Sequence, residues 1–395
     1  MDRLTNTVRP YAWGSTTAIP GLLGEEPTGG PQAELWMGAH PGAPSRIDRG
    51  AGPVSLADVI AADPVAELGA PCADRFGPRL PFLFKVLAAA EPLSLQVHPD
   101  LNQAKAGFLA EEEAGIALDA PERMYKDTNH KPELICALTL FEGLCGFRTP
   151  AQAADLLEGL NVDGLVPYVD VLRAKPEADA LREVFTAVLT APREAIAATV
   201  GEAVAAATGL ATGDGPFAAD YAMYAAVART YPGDPGILAG MLMNPVRLQP
   251  GEAMYLGAGV PHAYLDGVGV EIMANSDNVL RCGFTPKHID VPELLRVVRF
   301  VPGETDVLHA SPADGAYDTP LDDFRLHRHD LDAAARTLDT GRPQIVLCTD
   351  GSAELTSADG THLSLRRGES AFLPAAGAPV RATGSGTLFR ATVRG

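Results

Sequence analysis

Hydrophobic positions along this chain change their period twice. Up to about residue 149 they come in short runs broken by glycine and proline, such as Ala33-Glu34-Leu35-Trp36-Met37-Gly38, the texture of short strands joined by turns. Leu80-Pro81-Phe82-Leu83-Phe84-Lys85-Val86-Leu87 is a longer apolar run with one lysine inside it, which predicts a buried strand. Ser94-Leu95-Gln96-Val97-His98 alternates: as a strand it turns Gln96 and His98 to one face and Leu95 and Val97 to the other. Residues 102–116, rich in Ala, Lys and Glu, predict a helix. A polar loop, residues 125–133, then enters the strand Leu134-Ile135-Cys136-Ala137-Leu138. Pro132 keeps Lys131 extended, so Glu133 stands at the strand's mouth.

The texture changes at Thr149-Pro150, an N-cap followed by proline in the first helical turn. From residue 151 to about 240 the chain is alanine-rich, with Leu181, Val184, Phe185, Val188 and Leu189 on one helical stripe. A further helix starts after Thr190-Ala191-Pro192 and carries Ile196, Val200 and Val204 at four-residue steps. Strand texture returns at 244–262, where Pro250-Gly251-Glu252 and a Gly/Pro-bounded turn delivering His262 suggest a hairpin of a small antiparallel barrel. A weaker copy ends the chain: Gly251 and Gly368, Glu252 and Glu369, and Leu256 and Leu373 are each offset by 117 positions. The repeat suggests two related barrels. The second lacks a counterpart of His262, so it is expected to hold no metal. The expected organisation is mainly β with an α insert: 1–149 and 241–305 form the first barrel, 150–240 the inserted helical domain and 306–395 the second barrel.

At 395 residues, with 46% hydrophobic and 21% charged positions, the chain has the composition of a globular protein of two or three domains. Fifty acidic against 31 basic residues leave a net charge of −19, which opposes nucleic acid and anionic membranes as partners. Any anionic ligand needs a local basic cluster. Five cysteines without a C-x-x-C pair, no apolar leader and no apolar run long enough for a bilayer lead us to expect a soluble cytoplasmic protein with reduced thiols.

Gln96 and His98 on one face, with Glu133 and His262 arriving from other segments, make a four-ligand N/O set of the kind divalent zinc accepts. The plainer account of Gln-x-His is a polar strand face. Lys85 either snorkels to the surface or serves a site, because a buried ammonium needs a partner. Trp13 and Trp36 are expected to be core residues rather than a ligand platform.

These segments carry a resemblance to the type I mannose-6-phosphate isomerases, zinc-dependent enzymes of the cupin fold. The similar stretches are Tyr11-Ala12-Trp13-Gly14-Ser15 and residues 33–41, 95–99, 125–138, 256–264 and 270–290; the helical stretch and the last ninety or so residues resemble the family only in general character. The resemblance implies cupin-type jelly-roll barrels, one Zn(II) per chain on Gln96, His98, Glu133 and His262, and Arg281 as a catalytic residue. It also implies reversible interconversion of mannose 6-phosphate and fructose 6-phosphate through an enediol, feeding mannose metabolism and GDP-mannose synthesis, by a monomer. Cys282, beside Arg281, departs from the small residue usual there. Isomerisation needs a proton-transfer base, for which Lys85, His130, Lys131, Asp277 and a zinc-bound hydroxide stay open. Lys287 and Arg281 are available to the phosphate, though Lys287 is equally readable as a surface lysine. Two rival classes are a non-catalytic sugar-phosphate-binding cupin and an iron-dependent cupin oxidase.

Overall fold

The computed structural model describes residues 1–332 and 335–394. It is mainly β, with the strands antiparallel in an eleven-stranded and a seven-stranded sheet and one further short pair. The spine of the larger sheet is His262–Ala274, whose first residues pair with Phe141–Phe147 and Leu95–Val97 and whose last residues pair with Phe82–Ala89 and Glu133–Ala137. The change of partners falls at Gly267, where φ is +117° and a Cβ would lie 2.6 Å from the Leu140 carbonyl oxygen. Only glycine lets one strand serve both halves here. Between the halves lie Leu87, Ile135, Phe141, Met254, Leu256 and Tyr264.

The predicted hairpin at 244–262 is corrected. Met243–Leu248 pairs with Phe141–Phe147, whereas Glu252–Leu256 pairs with Glu133–Ala137 and Val307–His309. The Pro250-Gly251 turn therefore carries the chain from one half of the sheet to the other rather than folding it back on its neighbour. The 117-residue repeat has a geometric counterpart. Gly251 and Gly368 have φ of +90° and +85°. Glu252 accepts a hydrogen bond from the Gln249 amide at 2.8 Å, and Glu369 from the Arg366 amide at 2.7 Å. The same turn chemistry thus precedes Glu252–Leu256 and Ser370–Leu373.

Thr149 caps Pro150–Gly159 through a reciprocal bond pair with Gln152, as the Thr-Pro signal predicts. Further helices include Val166–Ala174, Glu177–Thr190, Arg193–Leu210 and Ala218–Thr230. The chain leaves the sheet at Phe147 and re-enters opposite it at Met243, so this helical run is an excursion between adjacent strands. Its apolar stripes, including Leu157, Leu181, Val184 and Phe185, enclose Leu95, Val97 and Cys282. One face of Leu95–Val97 is thereby committed to packing. Cys282 is fully buried there and burial raises its thiol pKa; the other four cysteines are buried and unbridged too.

The seven-stranded sheet closes the opposite side. Ile345, Leu347, Phe372 and Phe389 pack with Phe82, Phe84, Val86, Leu134 and Ile272 in one cluster. A sheet with both faces covered reads as continuous apolar sequence, which accounts for residues 82–89. No helix is long and apolar enough to cross a membrane among the described residues.

Candidate metal centre and catalytic cleft

Three strand ends meet at one point. Glu133 opens Glu133–Ala137, His262 opens His262–Ala274 and His98 follows Leu95–Val97, with exposures of 2%, 0% and 1%. One ligand atom from each lies within 4.8 Å of the others, the one such His/Cys/Asp/Glu grouping among the described residues. His98 Nε2 is 3.4 Å from Glu133 Oε1, and His262 Nε2 is 3.4 Å from Oε2. Each imidazole has its other nitrogen on a carbonyl: His98 Nδ1 donates to Asn278 O at 2.8 Å and His262 Nδ1 to Val260 O at 3.0 Å. Those bonds fix the tautomers and turn both Nε2 lone pairs inward, as metal-ligating histidines require. His98 Nε2 and Glu133 Oε2 are buried without a hydrogen-bond partner, which is costly for polar atoms unless something else coordinates them.

The electrostatics agree. Burial, reinforced by Lys131, pushes His98 down to about 4, leaving it neutral. Burial alone would raise Glu133, but the charge of the Lys131 ammonium chiefly outweighs it and holds the group well below the ordinary carboxylate range. Two imidazoles whose Nε2 lone pairs face one carboxylate fit a divalent cation of zinc type. Gln96 completes the corner: it is the cross-strand partner of His262 on one side and of Arg281 on the other, and its amide nitrogen is 3.5 Å from His262 Nε2.

The cleft beside this centre has a volume of about 590 Å³ and is lined by Gln96, Glu133, Lys85, Lys131, Asp277, Arg281 and Lys287. Lys85 does not snorkel. Its ammonium is buried 2.6 Å from Glu271 and 3.1 Å from Glu34. The carboxylates are held in turn, Glu34 by the Trp36 indole at 2.7 Å and Glu271 by the Tyr264 hydroxyl at 2.8 Å. Burial favours loss of the lysine's proton, yet the two carboxylates prevail and raise its pKa. Lys131 Nζ is 3.1 Å from Glu133 Oε1.

At the cleft's outer end, Lys287 is lowered chiefly by the neighbouring Arg281 guanidinium, and burial lowers Arg281. Neither makes an ion pair among the described residues. Two cations that repel each other in a cleft form a place for an anion. Asp277 is more than half exposed and approaches His40 at 3.5 Å. His130 is not brought to the cleft: its ring bonds to Asp323 at 2.9 Å. Trp13 and Trp36, expected as plain core, pack in apolar clusters and also line the cleft beside Tyr11. Sequence reasoning missed Glu34, Glu271 and Tyr264. For the two glutamates the signal was a carboxylate inside an apolar run, in Ala33-Glu34-Leu35 and Val270-Glu271-Ile272, matching the lysine inside residues 80–87.

Residues 1–150 match the family described as phosphomannose isomerase type I, catalytic domain, and residues 315–393 match the mannose-6-phosphate isomerase cupin domain. The chain is 43% identical to the mannose-6-phosphate isomerase of Escherichia coli (strain K12), with 99% of each chain covered. This chain belongs to the type I mannose-6-phosphate isomerases. More distant members include an Arabidopsis thaliana isomerase, 32% identical over 95% of this chain and 89% of its own. Among solved structures, a Salmonella typhimurium mannose 6-phosphate isomerase bound to substrate and zinc superposes with a TM-score of 0.90 at 42% identity, covering 100% of this chain and 99% of that one. A zinc-bound mannose 6-phosphate isomerase gives 0.90 at 41%, with the same coverage.

Proposed function

We propose that this chain is a zinc-dependent isomerase interconverting mannose 6-phosphate and fructose 6-phosphate through an enediol, in the cytoplasm a supplier of mannose metabolism and GDP-mannose synthesis. The observation that carries this is the histidine and carboxylate trio of His98, Glu133 and His262 in the wall of a cleft that also holds the neighbouring cations Arg281 and Lys287. Gln96, His98, Glu133 and His262 hold one zinc. Bound there, zinc supplies Lewis-acid stabilisation of the negative charge that develops on the enediolate.

The protein's own residues do the rest. Lys287 and Arg281 receive the phosphate end and the developing charge. Lys85 is held in its protonated form by Glu271 and Glu34, which suits a hydrogen-bond donor rather than a base. An ammonium has three donors; two are committed to these carboxylates, leaving one for the sugar. Lys131 and Asp277 line the cleft and are the side chains left to move the proton, while His130 serves contact with Asp323. Tyr11, Trp13 and Trp36 offer the sugar ring an apolar wall and help exclude water.

The domain organisation that goes with this reading is a metal-bearing cupin barrel from 1–149 and 241–305, a helical domain at 150–240 inserted between neighbouring strands, and a second jelly-roll barrel without metal at 306–395; two short edge strands cross these bounds, since Val307–His309 pairs with Glu252–Leu256 in the larger sheet and Asp2–Arg3 with Ser370–Leu373 in the smaller. The deciding experiment is a coupled isomerase assay on chelated and zinc-restored protein. Turnover should vanish and return, and undiminished turnover of metal-free protein would overturn the proposal.

A further inference from the structure

The sheet that covers the catalytic half carries a second cluster of charge. On strand Arg325–Leu331, alternate positions Arg325, His327, His329 and Leu331 share one face. Leu331 joins an apolar cluster with Leu338, Val346, Leu355 and Leu388, so this face looks into the core of the C-terminal sheet. His327 lies directly across the ladder from Arg390. Where apolar residues would complete that core, the chain places two imidazoles and a guanidinium, with exposures of 6%, 8% and 5% for His327, His329 and Arg390.

Their partners are incomplete. Arg390 Nε donates to Gln344 Oε1 at 2.6 Å, but its nearest carboxylate, the exposed Asp339, is 3.8 Å away. His327 Nδ1, His329 Nε2 and Arg336 Nε are buried without a hydrogen-bond partner. The histidine rings stack, with centroids 5.9 Å apart. All these groups border a cavity of about 500 Å³ that Arg325 and Arg342 also line. Arg325 reaches Asp314 at 3.4 Å, while Arg336 and Arg342 make no ion pair among the described residues. Burial, with repulsion from Arg342 and Arg325, brings Arg390 down to about 10 despite Asp339. In a chain of net charge −19, such a concentration of cations is exceptional and costs stability unless something compensates it.

We infer that this cavity is a second anion site, separate from the catalytic cleft, which binds the dianionic phosphoryl group of a small molecule. Four arginines against Asp314 and Asp339 leave a formal excess of two positive charges, the complement of a phosphate dianion. Guanidinium forks and inward imidazole N–H groups supply the hydrogen bonds that its oxygens need, and the volume lies in the range of small-molecule sites. Carboxylates match the donor geometry less well, because one planar CO2⁻ presents two oxygens to donors converging from several sides.

The test is calorimetric titration of the zinc-loaded enzyme, at low ionic strength, with orthophosphate and separately with fructose 6-phosphate. Two phosphates per chain are expected in the wild type. Arg336→Gln/Arg342→Gln, changed at half-buried residues remote from the cleft, should bind one, with at least a tenfold loss at the other site and unchanged isomerase turnover. If the double variant folds poorly, either single variant serves the same comparison. Two equivalents of fructose 6-phosphate would identify a phosphosugar as an occupant, and two of orthophosphate with one of fructose 6-phosphate would identify free phosphate. A single phosphate per chain in the wild type, or two in the folded variants, would overturn the inference.

Discussion

Arg281 sits directly across the strand ladder from Gln96, and Gln96 directly across from His262. Antiparallel partners project to the same face about 5 Å apart, so Arg281 springs from the strand next to the metal corner while its guanidinium neighbours Lys287. A cation placed there stabilises charge that appears only in the enediolate, and its loss should appear in kcat. Arg281→Ala is predicted to lower kcat by about a hundredfold or more with KM within several-fold, the usual size of such electrostatic effects. Lys287→Ala should do the reverse, raising KM with kcat largely kept, because a phosphate anchor acts equally in ground and transition states. Steady-state kinetics of the two variants separate these cases, and near-normal kcat in Arg281→Ala would remove it from the chemistry.

Removing a ligand leaves an incomplete coordination shell. His98→Ala and His262→Ala should therefore each lose most bound metal. Elemental analysis should give one zinc per wild-type chain and well under half of that in each variant. Two tightly held zincs would contradict a single centre.

Lys85 tests how the cleft balances a buried ammonium against Glu34 and Glu271. Lys85→Met strips two buried carboxylates of their cation, which costs about 3–5 kcal/mol when one member of a buried pair is deleted. Lys85→Met/Glu271→Gln removes one uncompensated charge and should recover a good part of that stability without recovering turnover. Urea midpoints and turnover of the two variants check this; a double variant no more stable than the single would show that the pair is not electrostatically coupled.

The meeting of His98, Glu133 and His262 was legible in the sequence as a candidate because the segments that carry them obey local rules. Alternation put Gln96 and His98 on one face, Pro132 fixed the entry of Glu133, and a Gly/Pro turn delivered His262. Pairing across distant segments was not legible. The strands flanking Gly251 look like a hairpin by spacing, but each finds better burial elsewhere, against Phe141–Phe147 and Glu133–Ala137. Only the three-dimensional register brings Glu271 and Glu34 to Lys85. His130 shows the converse: adjacency to Lys131 and Glu133 in sequence suggested a site role, yet the extended chain there turns neighbours to opposite sides and gives it to Asp323.

The buried histidines of the C-terminal sheet make folding stability depend on pH. Burial, with Arg390 and neighbouring cations, lowers His327 to about 3 and His329 to about 4, against 6.5 for an ordinary imidazole. Asp314 and, at His329, Asp330 oppose this without reversing it. Between roughly pH 6.5 and 3, then, the unfolded chain binds more protons than the folded one, and folding stability rises with pH. The contribution is complete above about 6.5 and is lost as pH falls through that window. From pH 7.5 to 5.0 most carboxylates stay ionised, so the loss there reports histidines. It should amount to about 2 kcal/mol for each buried ring, from about 1.4 kcal/mol per pH unit below 6.5. His327→Gln/His329→Gln cannot take up these protons, so urea midpoints of the zinc-loaded variant should fall less over this range than those of the wild type. Parallel midpoint curves would mean that both rings protonate in the folded state without penalty, contrary to their burial beside Arg390.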